Sequence, residues 1–302
     1  MTQSLVIINP HAGGSRALTI WQNHETTLRE RLGHVEGVIT QSQDELDEVL
    51  EDASQRGITR IISIGGDGTN HHAVNAIMRH NIAFPKRSLT YATIPAGTGR
   101  DWSRGAGTPL DVSQAINWIA NSRLRPIDVG HALLDGVERY FLNTSSVGIS
   151  NDVVQRVEAS SKGGQITFLK AIVSSILFYR AIPVMIYLDD VLWWDEPLYL
   201  GGFANGKYFG QGLMVAPNAE VDDGLFDIIA AGDMRMFSVF NLLRQLYSGS
   251  HIFNHRVKIG RAGTVRVVSK SGAPIGLDLD GEGAYAADIT YSVLHRALLM
   301  NT

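Results

Sequence analysis

Four short apolar runs, Leu5–Ile8, Val35–Thr40, Arg60–Ile64 and Leu89–Ile94, alternate with stretches of helical spacing around Leu18–Leu32, over Gln43–Arg56 and over His71–Arg79. A further helical stretch, Asp111–Ala120, follows the last of them. Strands that alternate with helices pair in parallel, and the helices cover both faces of the sheet. In such a sheet, ligands bind at the loops that follow the carboxyl ends of the strands. The first half of this chain is therefore predicted to be an α/β domain whose working surface is a row of loops.

From about Pro126 the texture changes. Short runs appear at Tyr140–Thr144, Val184–Leu188, Leu198–Ala204, Phe226–Ala230 and Val265–Ser269, which predicts an antiparallel sandwich or barrel. Two helical stretches interrupt it. One carries Phe168, Leu169, Ile172, Val173, Ile176 and Leu177; the other carries Phe237, Phe240, Leu243 and Tyr247. Arg123–Pro126 is the expected boundary, giving domains 1–125 and 126–285. Both helices read as core, or as a surface that admits a lipid tail.

Composition narrows the function classes. With 302 residues, 44% hydrophobic and 19% charged, the chain has material for one large domain or two ordinary ones. A net charge of −4 offers no basic excess for nucleic acid. The absence of cysteine removes disulfides, thiolate catalysis and cysteine–zinc sites. No basic segment precedes the short Leu5–Ile8 run and no stretch approaches the ~20 apolar residues of a membrane span, so a cytoplasmic protein is expected.

Three stretches carry chemistry. "GGDGT" (Gly65–Thr69) joins an apolar strand to a helix, which suits either a phosphate cradle or an ordinary glycine-requiring turn. Asp67 inside a phosphate cradle is tolerable where a divalent cation lies between the charges. "PAGTGRDW" (Pro95–Trp102) is a second loop of this kind and "NPHAGG" (Asn9–Gly14) a third, so Asn9, Thr69, Thr98 and Asp101 are candidates for one nucleotide site. In "PIGLDLDGE" (Pro274–Glu282), strand alternation sends Leu277 and Leu279 one way and Asp278 and Asp280 the other, with Glu282 beyond Gly281. That is either a solvated edge with a turn at Asp280-Gly281 or a general base among crowded carboxylates. "NAEVDDGLFD" (Asn218–Asp227) reads equally as a turn at Asp223-Gly224 or as an oxygen-ligand cation site. Adjacent His71 and His72 point about 100° apart on a helix and make a poor chelating pair. "GGFANGK" lacks the Ser/Thr and the helix of a P-loop.

Taken in order, "NPHAGG", "GGDGT", "PAGTGRDW", "NGKYFGQGLMVAPNAEVDDGLFD" and "LDLDGE" resemble the motifs of the diacylglycerol-kinase-like lipid kinases, over nearly the whole chain. That family includes bacterial diacylglycerol kinases, YegS-type kinases, and sphingosine and ceramide kinases. The resemblance implies a Rossmann-like (phosphofructokinase-like) α/β domain, a C-terminal β-sandwich domain with the lipid site, and ATP in the cleft between them. It implies that the last segment, about 286–302, returns to the first domain. It places the nucleotide against Asn9, Pro10, His11, Ala12, Gly13, Thr40, Gly66, Asp67, Gly68, Thr69, Asn70, His71, His72, Thr98 and Asp101. It makes Glu282 the proton acceptor with Asp280 as its partner, and gives Asp67 and Asp101 the catalytic Mg2+. A separate structural Mg2+ falls to Asp223 with the carbonyls of Glu220 and Leu225.

The expected activity is ATP- and Mg-dependent phosphorylation of a lipid hydroxyl, such as that of diacylglycerol. The lipid is presented at a membrane surface, through peripheral and transient contact. NAD kinase-like chemistry and a catalytically weak nucleotide- or lipid-binding regulator are the alternatives. Exposed strand edges allow a homodimer. Two departures stand out: His71-His72 where the family usually has Asn-Glu, and Arg100 where Asn is usual. Arg100 is expected to add a phosphate contact or to mark a changed substrate.

Overall fold

The computed structural model describes residues 3–10, 16–40, 43–160, 165–233 and 236–301. They form two compact units, Met1–Ile127 with Arg296–Thr302, and Asp128–His295. In chain order the first contains β1 (Ser4–Ile8), α1 (Arg16–Leu32), β2 (Val35–Ile39), α2 (Gln43–Gln55), β3 (Arg60–Gly65), α3 (Asp67–Ala83), β4 (Thr90–Pro95), α4 (Asp101–Ala106) and α5 (Val112–Asn121). The chain then passes into the second unit within β5 (Leu124–Leu134).

The strands of the first unit pair in parallel in the order β2-β1-β3-β4. The end of the chain adds a fifth parallel neighbour, with Met300 opposite Tyr91. Alternation along β3 explains the layers. Ile62 and Ile64 face a core with Ala17, Ile20 and Leu28 of α1 and Ile116 and Ile119 of α5, so Ile61 and Ser63 turn to the side of α3. The register puts Ile8 beside both Ile39 and Ile64, and Gly65 beside Pro95. The loops after all four strands therefore leave one edge of the sheet together. α5 begins where Asp111 accepts the Gln114 amide at 2.9 Å, a side-chain cap.

The second unit continues with β6 (Val137–Phe141), β7 (Thr144–Gly148), α6 (Ile149–Glu158), α7 (Gln165–Phe178), β8 (Ile182–Leu188), β9 (Val191–Trp194), β10 (Pro197–Ala204), β11 (Phe226–Gly232), α8 (Met236–Ser248), β12 (Val257–Ala262), β13 (Thr264–Ser269), β14 (Ile275–Leu279), β15 (Glu282–Ala286) and β16 (Asp288–Asn301). It is a β-sandwich. One layer runs β15-β14-β7-β10-β11-β12 and the other includes β9-β8-β13-β16, all antiparallel. Val147, Phe203, Phe226 and Leu277 from the first layer pack with Ile186, Val265, Ile289 and Tyr291 from the second. A second core lies on the outside of the first layer. There Ile172 and Ile176 of α7 and Val239 and Leu242 of α8 cover Leu200, Ile229 and Ala231.

Two local readings of the sequence are corrected. Tyr140–Thr144 is not one strand: β6 stops at Phe141 and β7 starts at Thr144, because the Leu142 and Asn143 amides leave the ladder for Asp280. The helix after "GGDGT" starts at Asp67 rather than His71, so Gly68 and Thr69 lie in its first turn.

Candidate functional site

Two groups of residues, one in each unit, carry the polar chemistry. The first is built on the β3–α3 and β4–α4 turns. Gly66 is the N-cap of α3 and offers no side chain to its amides, so this 17-residue helix begins with its N–H groups and the positive end of its dipole uncapped by a side chain. Gly66 and Gly97 pack backbone to backbone. A methyl group on Gly97 would stand 2.5 Å from the Gly66 α-carbon, so no side chain fits there. A methyl on Gly65 would collide with Thr69, and one on Gly99 with the Asp67 carboxylate. Glycine at these positions lets the two turns interlock.

Asp67 holds the second turn in place. Its Oδ1 accepts the amide of Asp101 at 3.1 Å, at the first residue of α4. Arg100, just before, is left-handed at φ 57°, and its Nε donates to the Gly97 carbonyl at 2.8 Å. Through this nitrogen the side chain folds back and braces its own loop. Asparagine adopts this left-handed conformation with less strain than arginine.

The other predicted nucleotide residues divide. Asn9 Nδ2 lies 3.4 Å from the Thr69 hydroxyl, and the Thr40 amide donates to the Ile8 carbonyl at 3.3 Å, so Asn9, Thr40 and Thr69 gather where β1, β2 and β3 end. Pro10 follows Asn9 in the same turn, and Thr98 is exposed at the tip of its loop. Asn70 behaves differently. Its Oδ1 accepts from the hydroxyls of Ser63, Tyr91 and Thr93 at 3.0, 2.9 and 2.9 Å, so its side chain faces into the sheet and anchors α3. His71 is buried, with Nε2 3.3 Å from Asn75, and meets His72 edge to face. His11, Ala12 and Gly13 lie outside the described residues.

The second group sits on the β14–β15 hairpin. Asp280 and Gly281 form its two-residue turn, with φ of 52° and 92°, the left-handed pair of a tight hairpin. The Asp280 carboxylate accepts the amides of Leu142, Asn143 and Thr144 at 2.8, 2.9 and 3.0 Å. Asp280 therefore clamps the β6–β7 loop, a role beside that of partner to Glu282 which the resemblance implies. Glu282 opens β15 opposite Leu279 and is half-buried.

Asp278, one of the three acids of this stretch, is the buried one. It is 3% exposed, opposite Ser146, whose hydroxyl donates to it. Burial pushes its carboxyl up to about 6; the Ser146 and Gly281 donors hold it down against that, and Asp280 adds to the rise. α6 lies over the hairpin closely because Gly276 and Gly283 leave room for Asn151. The signal for Asp278 was the alternation itself: an acid on the far side of a strand is buried when a helix covers that side.

The loop before β11 is the candidate cation site. Asp223 accepts the Leu225 amide at 3.0 Å and is paired with Arg261, which also lies 3.5 Å from Asp227. Asp227 is raised above the usual carboxylate range by burial, with Arg261 opposing the rise. Carboxylates with neighbouring carbonyls are the ligand type of a hard cation, so the donor set fits Mg2+ chemically, with the Arg261 guanidinium as its competitor. Among the described residues no group of three or more acidic or histidine side chains stands in metal-binding arrangement. Sequence reasoning missed Asp128, the fully buried acid that shapes this loop. It accepts the Gly224 amide at 2.6 Å and lies 3.0 Å from His295 Nδ1. A lone acid inside the apolar run "PIDVG" was its only mark.

Comparison with known proteins adds the following. Residues 3–132 match the model of the diacylglycerol kinase catalytic domain, and residues 143–301 that of the YegS C-terminal NAD kinase beta sandwich-like domain. A diacylglycerol kinase of Mycobacterium tuberculosis is 26% identical over 264 residues, covering 86% of this chain and 83% of that protein. A Stenotrophomonas maltophilia protein named "Probable lipid kinase YegS-like" is 26% identical over 268 residues, with 86% of each chain covered. A crystal structure of a diacylglycerol kinase from Bacillus anthracis superposes with a TM-score of 0.73 at 21% identity, covering 99% of this chain and 96% of that one, which shows a shared fold.

Proposed function

Since the chain belongs to the diacylglycerol-kinase-like lipid kinase family and is a kinase, we propose that it transfers the γ-phosphoryl group of ATP, with Mg2+, to a hydroxyl of a lipid such as diacylglycerol. The observation that carries this is the interlocked pair of glycine turns. Together they present the N-terminus of α3 and the Asp67 carboxylate at the edge where the strands of the first unit end. A helix N-terminus suits phosphate, and the carboxylates suit the cation that travels with it.

In this reading the first unit supplies the phosphate side of the reaction and the second the acceptor side. Asn9, Thr40, Thr69 and Thr98 orient the nucleotide, and Asp67 and Asp101 hold the metal. Bound Mg2+ neutralises charge on the transferring group. Glu282 accepts the proton of the attacking hydroxyl. Asp280 keeps Glu282 in place by fixing the turn before it, and Asn70 does the same for α3. Asp223, with the carbonyls of Glu220 and Leu225, would hold a second, structural Mg2+ in exchange for Arg261.

Catalysis by such a site is mostly positioning and charge neutralisation, so small displacements of these turns matter. In this reading the lipid is met at a membrane surface; no helix among the described residues is long and apolar enough to cross a membrane. The test is acceptor choice. γ-Labelled ATP is offered total lipid extract in mixed micelles and, separately, NAD. Label in lipid supports the proposal. Label in NAD alone, which the name of the matched sandwich domain makes the relevant competitor, overturns it.

A further inference from the structure

α7 is apolar on two sides. Ala171, Ile172 and Ile176 fill the core over the outer sheet, while Ile166, Leu169 and Leu177 recur at helical spacing on its exposed side. A helix that is apolar all round belongs inside a protein or against another apolar medium. α8 repeats the pattern, with Val239, Leu242 and Leu246 buried and Phe237, Phe240 and Tyr247 exposed. The two helices pack together. Phe237 is 87% exposed and Ile166 is 74% exposed, values that a core-forming side chain does not have.

Charge on this surface has one sign. Lys170 lies on the exposed side of α7 and Arg244 on that of α8, each among the apolar residues. Arg180 and Arg256 are exposed close by. The sequence contains no Asp or Glu from 159 to 188 and none from 234 to 277, although the whole chain is net −4. The flanking acids are Glu158 and Asp152 of α6, the latter neutralised by Arg156, which also donates to Ser174 of α7 at 3.0 Å, and Asp233, shortly before α8.

From these observations we infer that the exposed faces of α7 and α8 are the surface by which the protein docks on an anionic lipid bilayer, apolar side chains entering the interface and Lys170 and Arg244 meeting acidic headgroups. Interfacial helices bind by this combination of buried apolar area and attraction to anionic lipid. A second copy of the chain is a poorer occupant. A symmetric interface would set this basic face against itself. The inference rests on the lipid-kinase reading for its purpose, not for its geometry.

The experiment is vesicle sedimentation of the full chain, with vesicles of phosphatidylcholine alone or with about a third phosphatidylglycerol. The wild type is expected to bind the anionic vesicles at least ~10-fold more tightly than the neutral ones, and less tightly as salt rises. Ile166→Ser with Phe237→Ser, and separately Lys170→Glu with Arg244→Glu, are each expected to weaken binding at least ~10-fold. Both should keep the wild-type melting temperature and phosphorylate a short-chain acceptor dispersed in detergent at the wild-type rate. Glu282→Gln should sediment like wild type, so vesicle binding stands or falls apart from catalysis. Failure of the wild type to sediment, or wild-type sedimentation by both double variants, overturns the assignment. So does a dimer in light scattering that becomes a monomer in the variants.

Discussion

Gly66 and Gly97 meet through their backbones, and a methyl group on Gly97 would lie 2.5 Å from the Gly66 α-carbon. The contact locks the turn after β3 to the turn after β4, so the start of α3 and the start of α4 move as one piece. Gly97→Ala must push the two turns apart. It is expected to weaken nucleotide binding at least ~10-fold, because oriented amides lose their aim with small displacements. Binding of a fluorescent ATP analogue checks this. Wild-type affinity would show that the interlock is not needed to hold phosphate.

Asp280 accepts three amides at once. Asp280→Ala leaves all three without that acceptor, and is expected to destabilise the fold by at least about 3 kcal/mol, on a scale of roughly 1–3 kcal/mol per buried group left unsatisfied. Glu282→Gln, at a half-buried position, should leave stability within about 0.5 kcal/mol of wild type. Urea unfolding of the two variants separates the structural acid from the chemical one.

Asp278 gives a pH signature. Its folded carboxyl is raised from 3.8 to about 6, so between those values the native state binds more protons than the unfolded chain. Stability from this group is therefore fully present below about pH 4 and is lost as pH rises through 6, by roughly 3 kcal/mol at about 1.4 kcal/mol per unit. Asp278→Asn should remove that slope. Urea midpoints between pH 4 and 7 that fall equally in wild type and variant would contradict the assignment.

The Arg261 guanidinium competes with any cation for Asp223. Arg261→Met is expected to increase the rise in melting temperature produced by Mg2+, and Asp223→Asn to abolish that share of it. Thermal melts with and without Mg2+ read both. An identical Mg2+ response in all three proteins would remove Asp223 from the list of ligands.

Arg100 sits in a left-handed conformation that asparagine adopts more readily. Arg100→Asn is expected to leave turnover within about 3-fold of wild type and to keep or slightly raise stability, by up to about 0.5 kcal/mol. A large loss of activity would keep Arg100 on the list of phosphate contacts.

The fold was legible where period and punctuation agreed. β1, β3 and β4 are short buried runs ended by a turn, and each marks a strand whatever surrounds it. The interlocked glycines were legible only as loops, since nothing in "GGDGT" or "PAGTG" says that one glycine touches the other. Asp278 and Asp280 illustrate the limit more sharply. Two residues apart, they look alike in sequence. One lies buried opposite Ser146 and the other turns a hairpin to bind distant amides, because α6 and the β6–β7 loop arrive from elsewhere in the chain. Asn70 was grouped with the nucleotide residues for the same reason: its three hydroxyl partners come from two different strands. Arg100 could be flagged as unusual, but its bond to Gly97 depends on a backbone angle that no spacing encodes.

The most direct measurement sets wild type, Glu282→Gln and Asp67→Asn side by side, with γ-labelled ATP, Mg2+ and lipid extract in mixed micelles, alongside ATP binding by each. The account predicts labelled lipid from the wild type. It predicts at least ~100-fold less from either variant, with ATP binding preserved in Glu282→Gln and weakened in Asp67→Asn. Near wild-type labelling by the folded Glu282→Gln protein, or no labelled lipid from a wild type that binds ATP, would contradict it.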